Sequence, residues 1–289
     1  MGWRGEVGRD VAFVMQLPAD VQAWHVDVEA TGDHEHLPFT GWIVRGALGR
    51  ALRGLECRRS CGAGACRAPT SCGYAERFEH PGVPYFRIDS AELDGRTLRA
   101  GDRYRLRLVT FTGDGSPFAL ALAQAAREGL GMNAAPGRVL TLGGGEVPDV
   151  EARARATGTR ILVEIRTPAD LTRDGGWNDA PEPLDVLEAT RHRAELLGLP
   201  VDGWEAFERE VRWLPAWTSP WEGRRWSARR NAWVDLRGVR AGFKVLPTRA
   251  QARWFALAEV LGIGGGTAFG QGVVRVLAEP NGKQGGRPR

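Results

Sequence analysis

Hydrophobic and polar positions alternate in several short segments of the chain and follow a helical period in others. Alternation predicts strands, which lie at 11–17, 21–30, 84–89, 103–111, 161–166, 209–214 and 272–277. Apolar positions three or four apart predict helices, which lie at 40–55, 116–129, 184–198 and 249–261. Residues 138–142 form a short apolar segment before three glycines, and residues 221–245 are predicted to form a β-hairpin.

The predicted elements repeat a β-α-β-β-α-β order once, in units of about 130 residues. We therefore predict an α+β protein with two tandem ferredoxin-like (RRM-like) domains, at 1–155 and 156–278, and a flexible tail at 279–289. The first domain carries a cysteine-rich insertion at 57–72. The second carries the hairpin and a C-terminal glycine-rich loop at 262–272.

This glycine loop contains six glycines in eleven residues, between a helix and a strand. Glycine permits positive φ and lets backbone N–H groups approach an anion closely, so the loop predicts contact with a phosphate-bearing partner. A mobile turn is the alternative. No lysine precedes Thr267 as in a nucleotide-binding P-loop, so neither a bound nucleotide nor ATP hydrolysis is expected.

The composition is that of a globular protein, with 43% hydrophobic and 26% charged residues in 289. Lys244 and Lys283 are the only lysines among 39 basic residues, so the other 37 are arginines. Arginine suits phosphate binding and base stacking, although a GC-rich genome would also enrich it. The chain shows neither a secretory signal nor an apolar run of about 18 residues, so we expect a cytoplasmic protein without a membrane partner.

All four cysteines fall within sixteen residues, at Cys57, Cys61, Cys66 and Cys72. In an intracellular protein such clustering favours metal binding, and a four-thiolate zinc site tolerates loops of these lengths. We therefore predict a structural zinc, with reduced thiols or a disulfide pair as alternatives. Four protein ligands would close the coordination sphere, so no catalytic metal is expected.

Two basic surfaces are candidates for nucleic-acid binding. On the helix at 40–55, Arg45, Arg50 and Arg53 lie opposite the apolar positions, and a solvated face is the alternative interpretation. The hairpin interleaves basic residues with tryptophans: Arg224, Arg225, Arg229, Arg230, Arg237, Arg240 and Lys244 with Trp221, Trp226 and Trp233. Basic groups neutralise phosphates and aromatic faces stack on bases, which predicts RNA binding. A sheet with tryptophans in the core and arginines in water is the alternative.

Four segments, in this order, resemble the CRISPR precursor-RNA-processing endoribonucleases of the RAMP superfamily: Phe39–Arg53, Cys72–Pro81, Arg225–Arg230 and Gly262–Gly272. The second segment, Cys-Gly-Tyr-Ala-Glu-Arg-Phe-Glu-His-Pro, resembles a divergent, cysteine-containing branch. The resemblance implies two RRM-like domains that bind the hairpin of a CRISPR repeat RNA, cut it without a catalytic metal and stay bound to the product. Other CRISPR effector subunits are further expected partners.

Cleavage of this kind needs a base for the 2′-OH, an acid for the leaving 5′ oxygen, and positive charge at the phosphorane. Many family members place a histidine at the start of the first helix, where this chain has Arg45. Arginine stays protonated, so Arg45 would stabilise charge, and His34 and His36 are the acid–base candidates, although an exposed His-x-His loop is more often incidental. The predicted RNA contacts are Arg50, Arg53, Arg224, Arg225, Arg229, Arg230, Lys244, Gly264, Gly265, Gly266, Phe269 and Gly270.

Three functions are therefore considered. The first is a CRISPR repeat-RNA endoribonuclease that yields a 2′,3′-cyclic phosphate and remains on the guide RNA. The second is a non-catalytic RAMP subunit that binds and caps the guide within an effector complex. The third is a zinc-containing RNA-binding protein outside CRISPR biology.

Overall fold

The computed structural model describes residues 17–57, 72–79, 82–111, 113–131, 135–201, 210–227 and 231–279. Its first unit comprises β1 (Gln22–Ala30), β2 (His34–Glu35), α1 (Gly41–Glu56), α2 (Gly73–Phe78), β3 (Phe86–Asp89), β4 (Thr97–Leu98), β5 (Arg103–Thr110), α3 (Ser116–Glu128) and β6 (Gly137–Glu146). Its second unit comprises α4 (Val150–Thr157), β7 (Ile161–Ala169), β8 (Thr172–Arg173), β9 (Gly176–Trp177), α5 (Pro183–Leu196), β10 (Arg212–Ser227), β11 (Ala232–Leu246), α6 (Arg249–Leu261) and β12 (Val274–Ala278).

Each unit contains a four-stranded antiparallel sheet, in the orders β3-β5-β1-β6 and β10-β11-β7-β12. When the four strands of each unit are counted in chain order, both sheets have the arrangement 2-3-1-4. Two helices connect the strands in each unit, α1 and α3 in the first, α5 and α6 in the second. This is the ferredoxin-like βαββαβ arrangement. The predicted α+β class with two tandem ferredoxin-like units is confirmed.

Apolar side chains form one core in each unit. Leu48 and Leu122, on α1 and α3, are buried against the first sheet, and Phe255 on α6 is buried against the second. Phe111, just after β5, belongs to the second core, so the two units share apolar packing. Helix α4 packs against α6 and contains the predicted domain boundary at 155, which stays a prediction.

The hairpin is longer than predicted, because β10 continues from Arg212 through two prolines to Ser227. Pro215 and Pro220 are compatible with a strand here because β10 lies at the edge of its sheet, where an N–H group can be missing without loss of a ladder bond. The strand predicted at 11–17 and the tail predicted at 279–289 lie outside the described residues, apart from Leu17 and Glu279. Within the described ranges, no helix has the length and apolar character required to cross a membrane.

Candidate functional site

The glycine loop starts at the C-terminal end of α6. Two arginines, one on β3 and one on α5, bind backbone carbonyl groups at this helix end. The Arg87 side chain, on β3, donates to the Glu259 carbonyl at 2.5 Å, and Arg193, on α5, donates to the Leu261 carbonyl at 2.8 Å. Burial, followed by the charge of Arg87, lowers the pKa of Arg193 to about 9. These contacts satisfy carbonyl groups that a helix end leaves without partners.

The loop itself is a folded scaffold. Gly265 and Gly272 donate their N–H groups to the carbonyls of Asp170 and Pro168, at 3.0 and 3.1 Å. A 3-10 turn, Thr267–Phe269, lies between two glycines in the left-handed region and carries the half-buried Phe269 ring. The N–H groups of Gly265 and Gly272 thus already have acceptors, and the loop holds the Phe269 ring beside Arg45. RNA contacts at Gly264, Gly265, Gly266 and Gly270 stay predictions.

The start of α1 is fixed by a polar cluster. The N–H and hydroxyl groups of Thr40 both donate to Asp94 Oδ1 at 2.8 Å, so this N-cap residue bonds across the fold instead of capping its own helix. Arg240, on β11, donates to the Pro38 carbonyl at 2.7 Å and lies 3.5 Å from Asp94. Burial raises the pKa of Asp94, although Thr40 and Arg240 oppose the shift. The hairpin is thereby joined to the loop that leads into α1.

Arg45, Phe269 and Arg225 meet where α1, the glycine loop and the hairpin come together. The Arg45 guanidinium carbon lies 4.3 Å from the Phe269 ring centre and 4.4 Å from that of Phe78. The Arg225 guanidinium carbon lies 4.4 Å from the same Phe269 ring. These distances are those of cation–π contacts. Three segments that are far apart in the sequence therefore place two cations on one aromatic ring.

Arg45 is largely buried and lies near charges of both signs. Burial lowers the pKa of the Arg45 guanidinium, Glu79 and Tyr74 raise it, and the nearby Arg225 charge lowers it. Its Nε is buried and has no hydrogen-bond partner among the described residues. The Tyr74 hydroxyl donates to Glu79 at 3.0 Å, and burial raises the pKa of Tyr74 to about 12. An anion beside Arg45 and Arg225 would relieve the repulsion between them.

His34 and His36 lie in a separate small ladder, in which β2 pairs with β4. Their ring centres are 4.6 Å apart in an edge-to-face arrangement. His36 is 8% exposed, and burial, followed by the charges of His34 and Arg96, lowers its pKa to about 4. At neutral pH His36 is therefore a neutral imidazole, which lacks the imidazolium proton that a general acid would give up.

The structure agrees only in part with the alternative in which the hairpin tryptophans fill a core and its arginines face water. Half-buried Arg225 contacts Phe269, whereas Trp226 and Trp233 are exposed. Trp221 lies on the same side as Arg225, and its ring centre is 5.3 Å from that of Phe39. This tryptophan is therefore packed against the first unit rather than open to a base.

The other predicted residues have varied surroundings. Arg50 is exposed, the Arg53 guanidinium lies 4.8 Å from the Tyr74 ring, and Lys244 pairs with Glu279 at 2.9 Å. Arg229 and Arg230 lie outside the described residues. Their roles in RNA binding stay predictions.

The predicted zinc site is only partly within the described residues. Cys57 follows α1 and Cys72 precedes α2, both half-buried, whereas Cys61 and Cys66 lie outside. In the part of the chain that the structure describes, no three His, Cys, Asp or Glu side chains are grouped to hold a metal.

Sequence reasoning assigned no site role to Tyr74, Phe78 and Glu79, which surround Arg45. The signal was available, because all three lie in the Cys72–Pro81 segment that carries part of the family resemblance. Only the packing of α2 against α1 shows that this segment faces Arg45.

Solved structures with the same architecture include Cas6 proteins. A Cas6 product complex matches with a TM-score of 0.55 and 20% identity, over 90% of this chain and 100% of the other. Thermus thermophilus Cas6 matches with a TM-score of 0.52 and 17% identity, over 92% and 100%. A Cas6-related protein from Pyrococcus furiosus matches with a TM-score of 0.51 and 12% identity, over 90% and 99%.

The chain has the Cas6 fold. This confirms, at the level of the fold, the RAMP resemblance seen in the sequence. No protein-family model matches the chain, and no curated protein matches it in sequence. Within the Cas6 fold of this protein, Arg45, Phe269 and Arg225 are the residues that the structure brings together.

Proposed function

We propose that this chain binds CRISPR repeat RNA and processes precursor crRNA. The observation that carries the proposal is the pair of guanidinium groups, Arg45 and Arg225, on the Phe269 ring of a Cas6 fold. The matched structures include Cas6 product complexes, which supports a processing function for a chain of this architecture.

In the proposed reaction, the RNA 2′-OH attacks the adjacent phosphorus and the bond to the 5′ oxygen breaks. The products are a 2′,3′-cyclic phosphate and a 5′-OH, and no water is consumed. Arg45 and Arg225 stabilise the negative charge of the phosphorane, since both are cations held close to one another. His36 and His34, which lie on the separate β2–β4 ladder, are the proposed base for the 2′-OH proton and the proposed acid for the 5′ oxygen.

A second function rests on the nature of Arg45. A guanidinium does not exchange protons near neutral pH, and Arg45 is enclosed by the rings of Phe78 and Phe269. A site of this kind can bind a phosphate tightly without cutting the RNA. The alternative is therefore a non-catalytic subunit that binds and caps the guide RNA, together with other effector subunits.

One assay separates the two functions. Purified protein is incubated with its cognate repeat RNA in excess EDTA, and products are analysed for a cyclic-phosphate end. Cleavage at a single position supports the nuclease, whereas tight binding without cleavage supports the capping subunit. If the protein does not bind the repeat RNA, both proposals are wrong.

A further inference from the structure

The distal part of the hairpin forms an arm that extends beyond the rest of the second sheet. We define the arm as residues 221–227 of β10 and 232–238 of β11. The last pair between β11 and β7 is Val239 with Ala169, and among the described residues no third strand pairs with the arm. Side chains on one face of the arm contact Phe39 and Phe269, and we call this the inner face. The opposite face is the outer face.

We propose that the outer face binds an unpaired RNA segment by base stacking, next to the site occupied by the repeat RNA. The inference rests on the proposed function and adds a second RNA subsite to it. It is carried by the distribution of side chains between the two faces of the arm, by the exposed tryptophan pair, and by a second aromatic–arginine contact at the base of the arm.

Strand register fixes the composition of the outer face. Alternation along β10 places Trp221 and Arg225 on the inner face, against Phe39 and Phe269. The outer face consists of three cross-strand pairs: Trp226 with Trp233, Arg224 with Asp235, and Glu222 with Arg237. All six residues are exposed. The arm therefore presents tryptophan to solvent and directs an arginine inward, the reverse of what burial preferences favour.

The tryptophan pair forms a stacking platform. Trp226 and Trp233 are 47% and 58% exposed, and their ring centres are 5.7 Å apart in an edge-to-face arrangement. The Arg224 guanidinium carbon lies 5.8 Å from the Trp233 ring centre and pairs with Asp235 at 3.0 Å. Adjacent aromatic rings and an arginine are the elements on which unpaired bases stack in single-strand binding proteins.

The same face ends in a second aromatic–arginine contact. The Arg237 guanidinium carbon lies 5.6 Å from the Trp177 ring centre, and its Nε is 3.6 Å from Asp170. Stacking groups therefore lie at both ends of the outer face.

The charge of the outer face and its position next to the Arg45 site indicate which RNA segment it binds. Glu222 and Asp235 offset the charges of Arg224 and Arg237, so the outer face gains affinity from stacking and depends little on salt. The inner face of the same arm contacts the Arg45 site, and RNA that leaves this site has the arm beside it. An unpaired segment continuous with the repeat hairpin is thus the occupant we propose.

The test measures fluorescence anisotropy of the full chain with two labelled RNAs. One is the cognate repeat hairpin, and the other is the same hairpin with a single-stranded extension of about eight uridines, tested at either end. The wild type is expected to bind one extended RNA about tenfold more tightly than the hairpin alone, with a gain that persists as salt increases.

The double variant Trp226→Ala/Trp233→Ala is expected to lose this gain and to bind the unextended hairpin like the wild type. Trp226→Tyr/Trp233→Tyr should keep most of the gain, because tyrosine also stacks. Leu214→Ala, which removes an apolar side chain 66% exposed on the same strand, is the matched control and should keep all of it.

Three results would overturn the inference. They are a gain that survives in the alanine double variant, a wild type that binds the hairpin without any gain from the extension, and an equal loss for both RNAs in the double variant. In all three cases the proposed function stands, since the hairpin still binds the wild type. A wild type that does not bind the hairpin overturns the proposed function and the inference together.

Discussion

The backbone carbonyl oxygen of Phe269 faces the Cα of Gly41 so closely that a Cβ at position 41 would lie 2.1 Å from it. The same Cβ would be 2.9 Å from the Cα of Gly270. Both neighbours are backbone atoms, which cannot rotate away as a flexible side chain can. Helix α1 and the glycine loop thus approach each other to a distance that only glycine permits, and this contact sets the position of Phe269 relative to Arg45.

Gly41→Ala is expected to destabilise the fold by about 1–3 kcal/mol, because the loop must move to admit the methyl group. Gly46→Ala is the matched control on the same helix, since its added Cβ meets nothing within 4 Å. The control should stabilise the protein by about 0.5–1 kcal/mol, the usual gain for alanine in a helix. Urea unfolding measures both, and equal stability of the two variants would contradict the close contact.

Arg45→Ala is expected to slow single-turnover cleavage about 100-fold or more, while the affinity for repeat RNA falls far less. The reason is that Arg45 is proposed to interact chiefly with charge that develops during the reaction. Arg45→Lys should recover part of the rate, because lysine keeps the charge without the planar fork. An unchanged rate in Arg45→Ala would show that the reaction takes place elsewhere.

Arg225→Ala is expected to weaken RNA binding and to reduce the slope of log affinity against log salt by about 1, the effect of one lost phosphate contact. Arg212→Ala removes an exposed arginine at the start of the same strand and serves as the control. Titrations at several salt concentrations measure the slopes. If the two variants behave alike, the contact between Arg225 and Phe269 has no special role in RNA binding.

Stability should fall as the pH decreases from 6.5, the ordinary pKa of histidine, to about 4, the lowered pKa of His36. In this window the unfolded chain binds the proton more readily than the folded protein, so protonation favours unfolding, at most by about 3 kcal/mol. His36→Gln should flatten this part of the pH profile. His192→Gln, at an exposed position, should leave it unchanged. Chemical denaturation across the pH range makes the comparison.

Metal analysis tests the cysteine prediction. If the four cysteines hold a structural zinc, the purified chain contains about one zinc atom, and Cys57→Ser or Cys72→Ser lowers that content. Cleavage in EDTA should persist as long as the fold does, because the metal is not expected to act on RNA. A chain purified without zinc and unchanged in stability after chelation would favour the free-thiol or disulfide alternatives.

Helix ends were predictable where local chemistry defines them. Helix α6 spans Arg249–Leu261, as predicted, because Thr248 and Gln251 form a capping box and Gly262 ends the helix with φ 70°. The sequence indicated only a short apolar segment at 138–142, whereas strand β6 spans Gly137–Glu146 and includes the three glycines. A Cβ at Gly144 would lie 2.2 Å from the Ala23 carbonyl, so these glycines permit a close approach to β1 instead of breaking the strand.

The candidate site was only half predictable. The sequence identified Arg45 on a basic helix face, Arg225 in the basic hairpin and Phe269 in the glycine loop, but their contact with one another depends on how the two units pack. Alternation in β10 separated Trp226 from Arg225 correctly, yet it could not tell which of the two faces the first unit. That choice depends on Phe39 and Phe269, which lie far away in the sequence.

The contact between Arg45 and Phe269 also has a consequence for the order of events during protein synthesis. The first unit leaves the ribosome early and contains its own core, but the ring that positions Arg45 belongs to the last loop before the final strand. A nascent or prematurely ended chain that lacks this loop has Arg45 without the ring that positions it. The proposed RNA site is therefore complete only when the second half is in place.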